Sequence, residues 1–236
     1  MTEKLTPACL PANVPVPRTI AEKADWMTRH EQLAARARQD DVDLCFVGDS
    51  ITEWWEGDRA QPVWEACFTG WQAINFGIGG DCTQHVLWRL QHGGIEVARP
   101  KVVVLLIGTN NADMDNPARY TPVDIAEAIS CIVGEIHART PETKVLVMGI
   151  FPRGLEADTP IRRKIQAINA LITTLADGKN VRYLDIGDRY LNADGTLNQP
   201  LFWDTVHVSD LGYRVWADAI HPTLLEWLGA PAGGDV

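Results

Sequence analysis

The chain is short of positive charge: 21 Lys and Arg against 31 Asp and Glu leave a formal charge of −10 over 236 residues. No basic run offsets that balance, which argues against an electrostatic grip on nucleic acid or anionic lipid. Long apolar runs are also missing. The longest, residues 102–107, has strand length and falls far short of the roughly 20 residues a membrane span requires. Cysteine is sparse and odd in number: Cys9, Cys45, Cys67, Cys82 and Cys131 form no C-x-x-C pair, and three sit in or beside apolar surroundings. That pattern suits thiols packed in a core within a reducing compartment. The opening residues hold no apolar stretch of signal-peptide length, so a cytoplasmic protein is expected. Histidines at H-x-x-x-H spacing are absent, as is G-x-x-x-x-G-K, and "GIGGD" (residues 77–81) lacks the third glycine of a dinucleotide fingerprint. Neither a metal nor a nucleotide cofactor is therefore expected.

What the chain has is 46% hydrophobic content, enough at this length for one sizeable α/β domain. Residues 1–18, with four prolines, are predicted to be an extended arm, residues 19–229 the domain, and 230–236 a frayed tail. Five β-rich runs, at 43–47, 72–76, 101–107, 144–150 and 181–186, read as strands. The third and fourth show almost no polar alternation, as parallel strands buried on both faces do. Helical periodicity follows Thr121-Pro122 through Ile125, Ile129, Ile132, Val133 and Ile136, and follows Thr159-Pro160 through Ile161, Ile165, Ile168, Ile172 and Leu175. In both, a Thr N-cap precedes Pro at the first helical position. A last helix, about 209–228, is capped by Ser209 and points Leu211, Val215, Ile220 and Leu224 inward. Strands alternating with helices predict a three-layer αβα sandwich around a five-stranded parallel sheet.

In such a sheet the residues just past the strand ends gather at one edge, where ligands bind. The first strand delivers Gly48-Asp49-Ser50, the second "GIGGD", the third "GTNN" (residues 108–111) and the fourth "FPRG" (residues 151–154). The loop before the last helix delivers "WDTVHVS" (residues 203–209). These are the parts acyl transfer requires. A serine hydroxyl needs a base to take its proton, and neutral histidine is poised to do so. Ser50 is the candidate nucleophile, His207 the candidate base, and Asp204, three residues earlier, the carboxylate that would fix the imidazole tautomer. The N–H groups of Ser50 and Gly80 and the side-chain amide of Asn110 are candidate donors to the developing oxyanion.

Those blocks resemble the GDSL, or SGNH, hydrolase superfamily: Gly48-Asp49-Ser50, Gly80, Gly108-Thr109-Asn110 and Asp204-Thr205-Val206-His207 occur in its order. The stretches "NFGIGGD", "HVLWRL", "PKVVVLLIGTNN" and "PRG" are similar to the catalytic subunits of intracellular platelet-activating factor acetylhydrolase, and the likeness spans roughly residues 43–226. The resemblance implies a flavodoxin-like sandwich, a metal-free Ser-His-Asp mechanism, short acyl groups, often acetyl, as the cargo, and a homodimer. "ITEWW" after the serine and "YLNADGTLNQPLFWD" before the triad aspartate depart from those subunits, so the alcohol half of the substrate does not carry over.

Each residue also has a plainer role. Ser50 alone could be a helix N-cap. Asp49 is left outside the catalytic set because a strand-end turn uses such a side chain for local hydrogen bonds. Asn111 competes with Asn110, and the motif favours Asn110. His30, His85, His92, His137 and His221 are expected to be structural. Of the nine tryptophans, Trp26, Trp64, Trp88, Trp216 and Trp227 fall on predicted helices, where packing explains them. Trp54, Trp55 and Trp203 flank the serine and the aspartate and are candidates for contact with substrate. The expected activity is hydrolysis of a small or sugar-borne acetyl ester; the competing expectation is a non-catalytic αβα binding or scaffold subunit.

Overall fold

The computed structural model describes residues 11–38, 41–58, 60–113 and 119–232. Five strands, β1 (Leu44–Gly48), β2 (Ala73–Gly77), β3 (Val102–Leu106), β4 (Lys144–Met148) and β5 (Val181–Leu184), pair in parallel in the order β2-β1-β3-β4-β5. The intervening helices are α1 (Trp26–Ala37), α2 (Ser50–Glu53), α3 (Gln61–Phe68), α4 (Thr83–Gln91), α5 (Ile95–Ala98), α6 (Thr109–Ala112), α7 (Pro122–Arg139), α8 (Pro160–Ile172) and α9 (Asp210–Leu228). The sandwich expected from the strand and helix pattern is the fold observed. The chain leaves β1 for β2 on one side and returns to β3 on the other, so β1 and β3 flank the switch point where their outgoing loops diverge and open a crevice.

Period-two alternation sorts the strand side chains between two cores. Cys45, Val47, Val103, Leu105, Val145 and Val147 pack with α4, α7 and α8. Leu44, Phe46, Val102, Val104, Leu146 and Met148 pack with α3 and α9. The expected caps form: Thr121 Oγ1 accepts from the Asp124 N–H and Thr159 Oγ1 from the Arg162 N–H. Ser209 Oγ accepts from the Gly212 N–H at the head of α9.

Residues 11–18 contain neither helix nor strand, yet they are not detached. Val16 N–H donates to the Gln84 carbonyl at 3.2 Å and Thr83 Oγ1 to the Ala12 carbonyl at 2.8 Å, which lays this segment along α4. At the other end the Ala232 N–H reaches the Gly70 carbonyl at 2.9 Å, so residues 230–232 of the expected tail are tied down. Residues 1–10 of the arm, Cys9 among them, and residues 233–236 lie outside the described residues. Cys45, Cys67, Cys82 and Cys131 are free thiols. No helix among the described residues is long and apolar enough to cross a membrane.

Candidate active site

Ser50 opens α2 directly after β1. Asp49 makes the turn, its side chain accepting from the Ile51 N–H at 3.0 Å, and so serves the local bond expected of it. Gly48 has to be bare because a Cβ there would lie 2.2 Å from Thr52 Oγ1 and 2.3 Å from the Leu106 carbonyl. That close approach is what lets the chain turn sharply enough to present the serine. Ser50 Oγ is 3.0 Å from His207 Nε2, and His207 Nδ1 is 2.8 Å from Asp204 Oδ2. The Asp204 Oδ1 accepts the Val206 and His207 N–H groups at 2.6 and 2.8 Å. Burial pushes the Asp204 carboxyl up, but the His207 ring and those two amides outweigh it and hold the group below the usual carboxylate range. An ionised carboxylate on Nδ1–H leaves Nε2 as the acceptor facing the serine.

The oxyanion candidates converge from three strand ends. The Ser50 N–H, in the first turn of α2, has no intrahelical acceptor. Residues 78–81 form a turn closed by the Asp81 N–H on the Ile78 carbonyl at 3.1 Å, with Gly80 at φ +79°. A Cβ on Gly79 would stand 3.6 Å from the Ser50 Cβ, so this turn lies beside Ser50. Asn110 Nδ2 donates to the Asp81 carbonyl at 2.8 Å, and the primary amide has a second N–H to give. Asn111 is fully buried, its Oδ1 accepting from the Thr83 N–H and its Nδ2 donating to Gln84 Oε1. It is spent on structure, which leaves Asn110 as the candidate donor of the two.

Supports that no motif announced hold this edge together. The buried Arg89 donates to Asp81 Oδ2 at 2.8 Å, to the Phe76 carbonyl at 2.9 Å and to the Gly48 carbonyl at 3.2 Å. Trp26 Nε1 donates to the other Asp81 oxygen at 2.6 Å. One guanidinium thus pins the ends of β1 and β2 to the glycine turn. On the far side Arg153 Nη1 donates to Thr109 Oγ1 at 3.2 Å, and the next residue, Gly154, gives its N–H to the Thr205 carbonyl at 2.9 Å. The "FPRG" loop therefore bridges the Asn110 helix to the loop carrying Asp204 and His207.

The three flanking tryptophans separate. Trp54 is 41% exposed and its indole stacks on the His207 ring, centroids 4.0 Å apart at 25°. Trp203, 40% exposed, joins Trp54, Gly57, Asp58, Ala60 and Tyr213 around a cavity of about 430 Å³. Trp55 does not face the cleft. It is fully buried among Phe46, Trp64, Phe68, Tyr213 and Trp216, because Trp54–Glu56 form a 3-10 turn whose consecutive residues point about 120° apart, so that only one of the pair looks outward. His85 accepts the Cys82 N–H on Nδ1 at 2.9 Å as part of the α4 cap, the structural role expected of it. No group of three or more His, Cys, Asp or Glu among the described residues could hold a metal ion.

Residues 46–215 match the GDSL-like lipase/acylhydrolase family. The human platelet-activating factor acetylhydrolase IB subunit alpha1 is 34% identical over 225 residues, covering 94% of this chain and 93% of that protein. Among solved structures, a GDSL-like lipase from Bacteroides thetaiotaomicron superposes with TM-score 0.68 at 22% identity, covering 89% of this chain and all of that one. The acetyl xylan esterase AlAXEase superposes with TM-score 0.65 at 23% identity, covering 78% and 100%. The chain belongs to the GDSL-like lipase/acylhydrolase family and is a carboxylic ester hydrolase.

Proposed function

We propose that the protein removes a short acyl group, acetyl foremost, from an ester carried on a carbohydrate, by way of an acyl-enzyme on Ser50. The observation that carries this reading is the hydrogen-bonded relay Ser50–His207–Asp204, with links of 3.0 and 2.8 Å, next to a cavity that Trp54, stacked on His207, walls together with Trp203. His207 takes the Ser50 proton as Oγ attacks the ester carbonyl, and the new imidazolium is stabilised by Asp204 and by the indole face of Trp54 stacked on it. The oxyanion is met by the Ser50 and Gly80 N–H groups and by Asn110 Nδ2. His207 then gives its proton to the departing alcohol, and water repeats the steps to release the acid.

The alcohol leaves on the His207 side, and that is where Trp54 and Trp203 expose their rings. Flat aromatic faces suit the C–H face of a sugar better than a flexible acyl chain. The similarity of fold to an acetyl xylan esterase and the acetylhydrolase name of the human relative both support acetyl as the cargo.

The test pairs p-nitrophenyl esters of increasing acyl length with an acetylated xylo-oligosaccharide. Ser50→Ala should lower kcat by about 10⁴ or more on every ester. Substantial turnover by that variant removes the serine mechanism. Trp203→Ala should raise KM for the sugar ester while leaving p-nitrophenyl acetate turnover nearly unchanged. Equal effects on both esters would remove the carbohydrate from the reading and leave the esterase.

A further inference from the structure

The donor contributed by Gly80 sits in the least secure part of the site. The peptide joining Gly79 to Gly80 is the central peptide of the turn formed by residues 78–81, which has the 3.1 Å closing bond and the positive φ at its third residue that define a type II turn. A type I turn closes with the same bond. The two differ mainly by turning the central peptide over, a change of about 150° in ψ before it and about 170° in φ after it. With glycine on both sides, neither conformation carries the steric penalty that would select it. Because the peptide is trans, the Gly80 N–H points opposite to the Gly79 carbonyl. A flip would therefore aim a carbonyl oxygen where the oxyanion must form.

Two cations hold the outer end of that peptide. Arg18 Nη1 and Lys23 Nζ each donate to the Gly79 carbonyl at 3.3 Å. On the inner side the Gly79 N–H donates to Glu53 Oε2 at 2.8 Å, and Glu53 is in turn flanked by Lys23 and Arg29, each at 3.8 Å. The Arg18 guanidinium also lies against the Gly80 α-carbon, where a Cβ would stand 2.3 Å from Nη1. Both cations come from the segment before α1, ahead of the family match at residues 46–215.

We propose that Arg18 and Lys23 are positioning residues that keep the Gly79–Gly80 peptide turned with its N–H toward the oxyanion, so that the N-terminal segment completes the active site. In the working orientation the carbonyl faces two positive charges, and those charge-assisted bonds also polarise the amide and strengthen its N–H as a donor. In the flipped orientation the same charges would face an N–H. The clamp thus supplies the preference that two glycines cannot.

This inference rests on the serine-esterase reading above, and Ser50→Ala serves as the control for that reading. The decisive variants are Arg18→Ala, Lys23→Ala and the pair together, assayed on p-nitrophenyl acetate and for binding of methylboronic acid, which forms a tetrahedral, oxyanion-like adduct on an active serine. The double variant should lose about tenfold in kcat with KM changed less than twofold, and should lose boronate affinity in parallel. The ceiling is the loss of about 10²–10³ expected for deleting such a donor outright. Arg18→Lys, which keeps a charged donor, should recover most of the loss. Unchanged kcat in the double variant, or a loss confined to KM, overturns the clamp while an inactive Ser50→Ala leaves the esterase standing. Both cations are partly exposed, so each single variant is expected to fold; should the double variant not fold, kcat and boronate affinity in the single variants decide the question by the same criterion.

Discussion

At the scale of single residues the site discriminates between neighbours of the same kind. Asn110 and Asn111 are adjacent amides, yet the first gives one N–H to the Asp81 carbonyl and is the proposed oxyanion donor, while both ends of the second are occupied by Thr83 and Gln84. Their alanine variants should therefore fail differently. Asn110→Ala is expected to lower kcat by about 10²–10³ with little loss of stability. Asn111→Ala strands a buried amide and carbonyl, so it should show first as a lower unfolding free energy, by about 1–3 kcal/mol. Parallel urea melts and p-nitrophenyl acetate kinetics separate the two, and a reversed pattern would exchange their roles. Trp54 and Trp55 make a similar pair. The sequence puts both beside the serine, and only the 3-10 turn Trp54–Glu56 that follows α2 decides that Trp54 stacks on His207 while Trp55 is fully buried.

At the scale of elements, one substitution made in two helices should act with opposite sign. Gly134 is exposed within α7, and a Cβ there meets nothing within 4 Å. Gly134→Ala should stabilise the protein by about 0.5–1 kcal/mol through helix propensity and leave kcat alone. Gly212 lies in the first turn of α9, where a Cβ would stand 2.3 Å from the Leu201 carbonyl and 2.7 Å from the Val208 Cβ. Gly212→Ala must push α9 off the loop that carries Asp204 and His207. It should cost about 1–3 kcal/mol, and because misplacing a catalytic group by about 1 Å can cost 10²-fold, kcat should fall as well. Thermal melts and kcat on the two variants check the contrast. The elements themselves were readable because β3 and β4 are nearly unbroken runs of Val and Leu, the other strands are short and mostly apolar or aromatic, and α7, α8 and α9 announce themselves with Thr-Pro or Ser caps. The four motif blocks were readable since a parallel sheet brings its strand ends to one edge at any sequence separation. The Arg18–Gly79 and Arg89–Gly48 contacts span 61 and 41 residues. Nothing periodic in the chain marks such pairs, so the braces around the site stayed hidden until the fold joined them.

At the scale of the whole molecule, buried titratable groups set opposing pH dependences. Burial, assisted by Arg18, pushes the His85 imidazole down to about 3, and burial with Arg89 pushes His30 down to about 4. In the unfolded chain each titrates near the ordinary value of about 6.5. Between those limits the unfolded chain binds a proton that the folded one refuses, so stability contributed by both histidines is lost as pH falls. Asp49 acts in the other direction. Its burial raises the carboxyl to about 7 against an ordinary value of 3.8. From there up to about 7 the folded chain keeps a proton the unfolded one has released, and stability is lost as pH rises. Urea unfolding at several pH values from about 4.5 to 6.5 resolves the two signs. His85→Gln should make the slope of unfolding free energy against pH less positive by on the order of 1.4 kcal/mol per pH unit, the equivalent of one proton. Asp49→Asn, which keeps the acceptor for the Ile51 N–H, should make the slope more positive by a similar amount. The remaining ionisable groups are common to the three proteins, so slopes that stay parallel would mean that neither substitution changes the difference in proton uptake between the folded and unfolded chains.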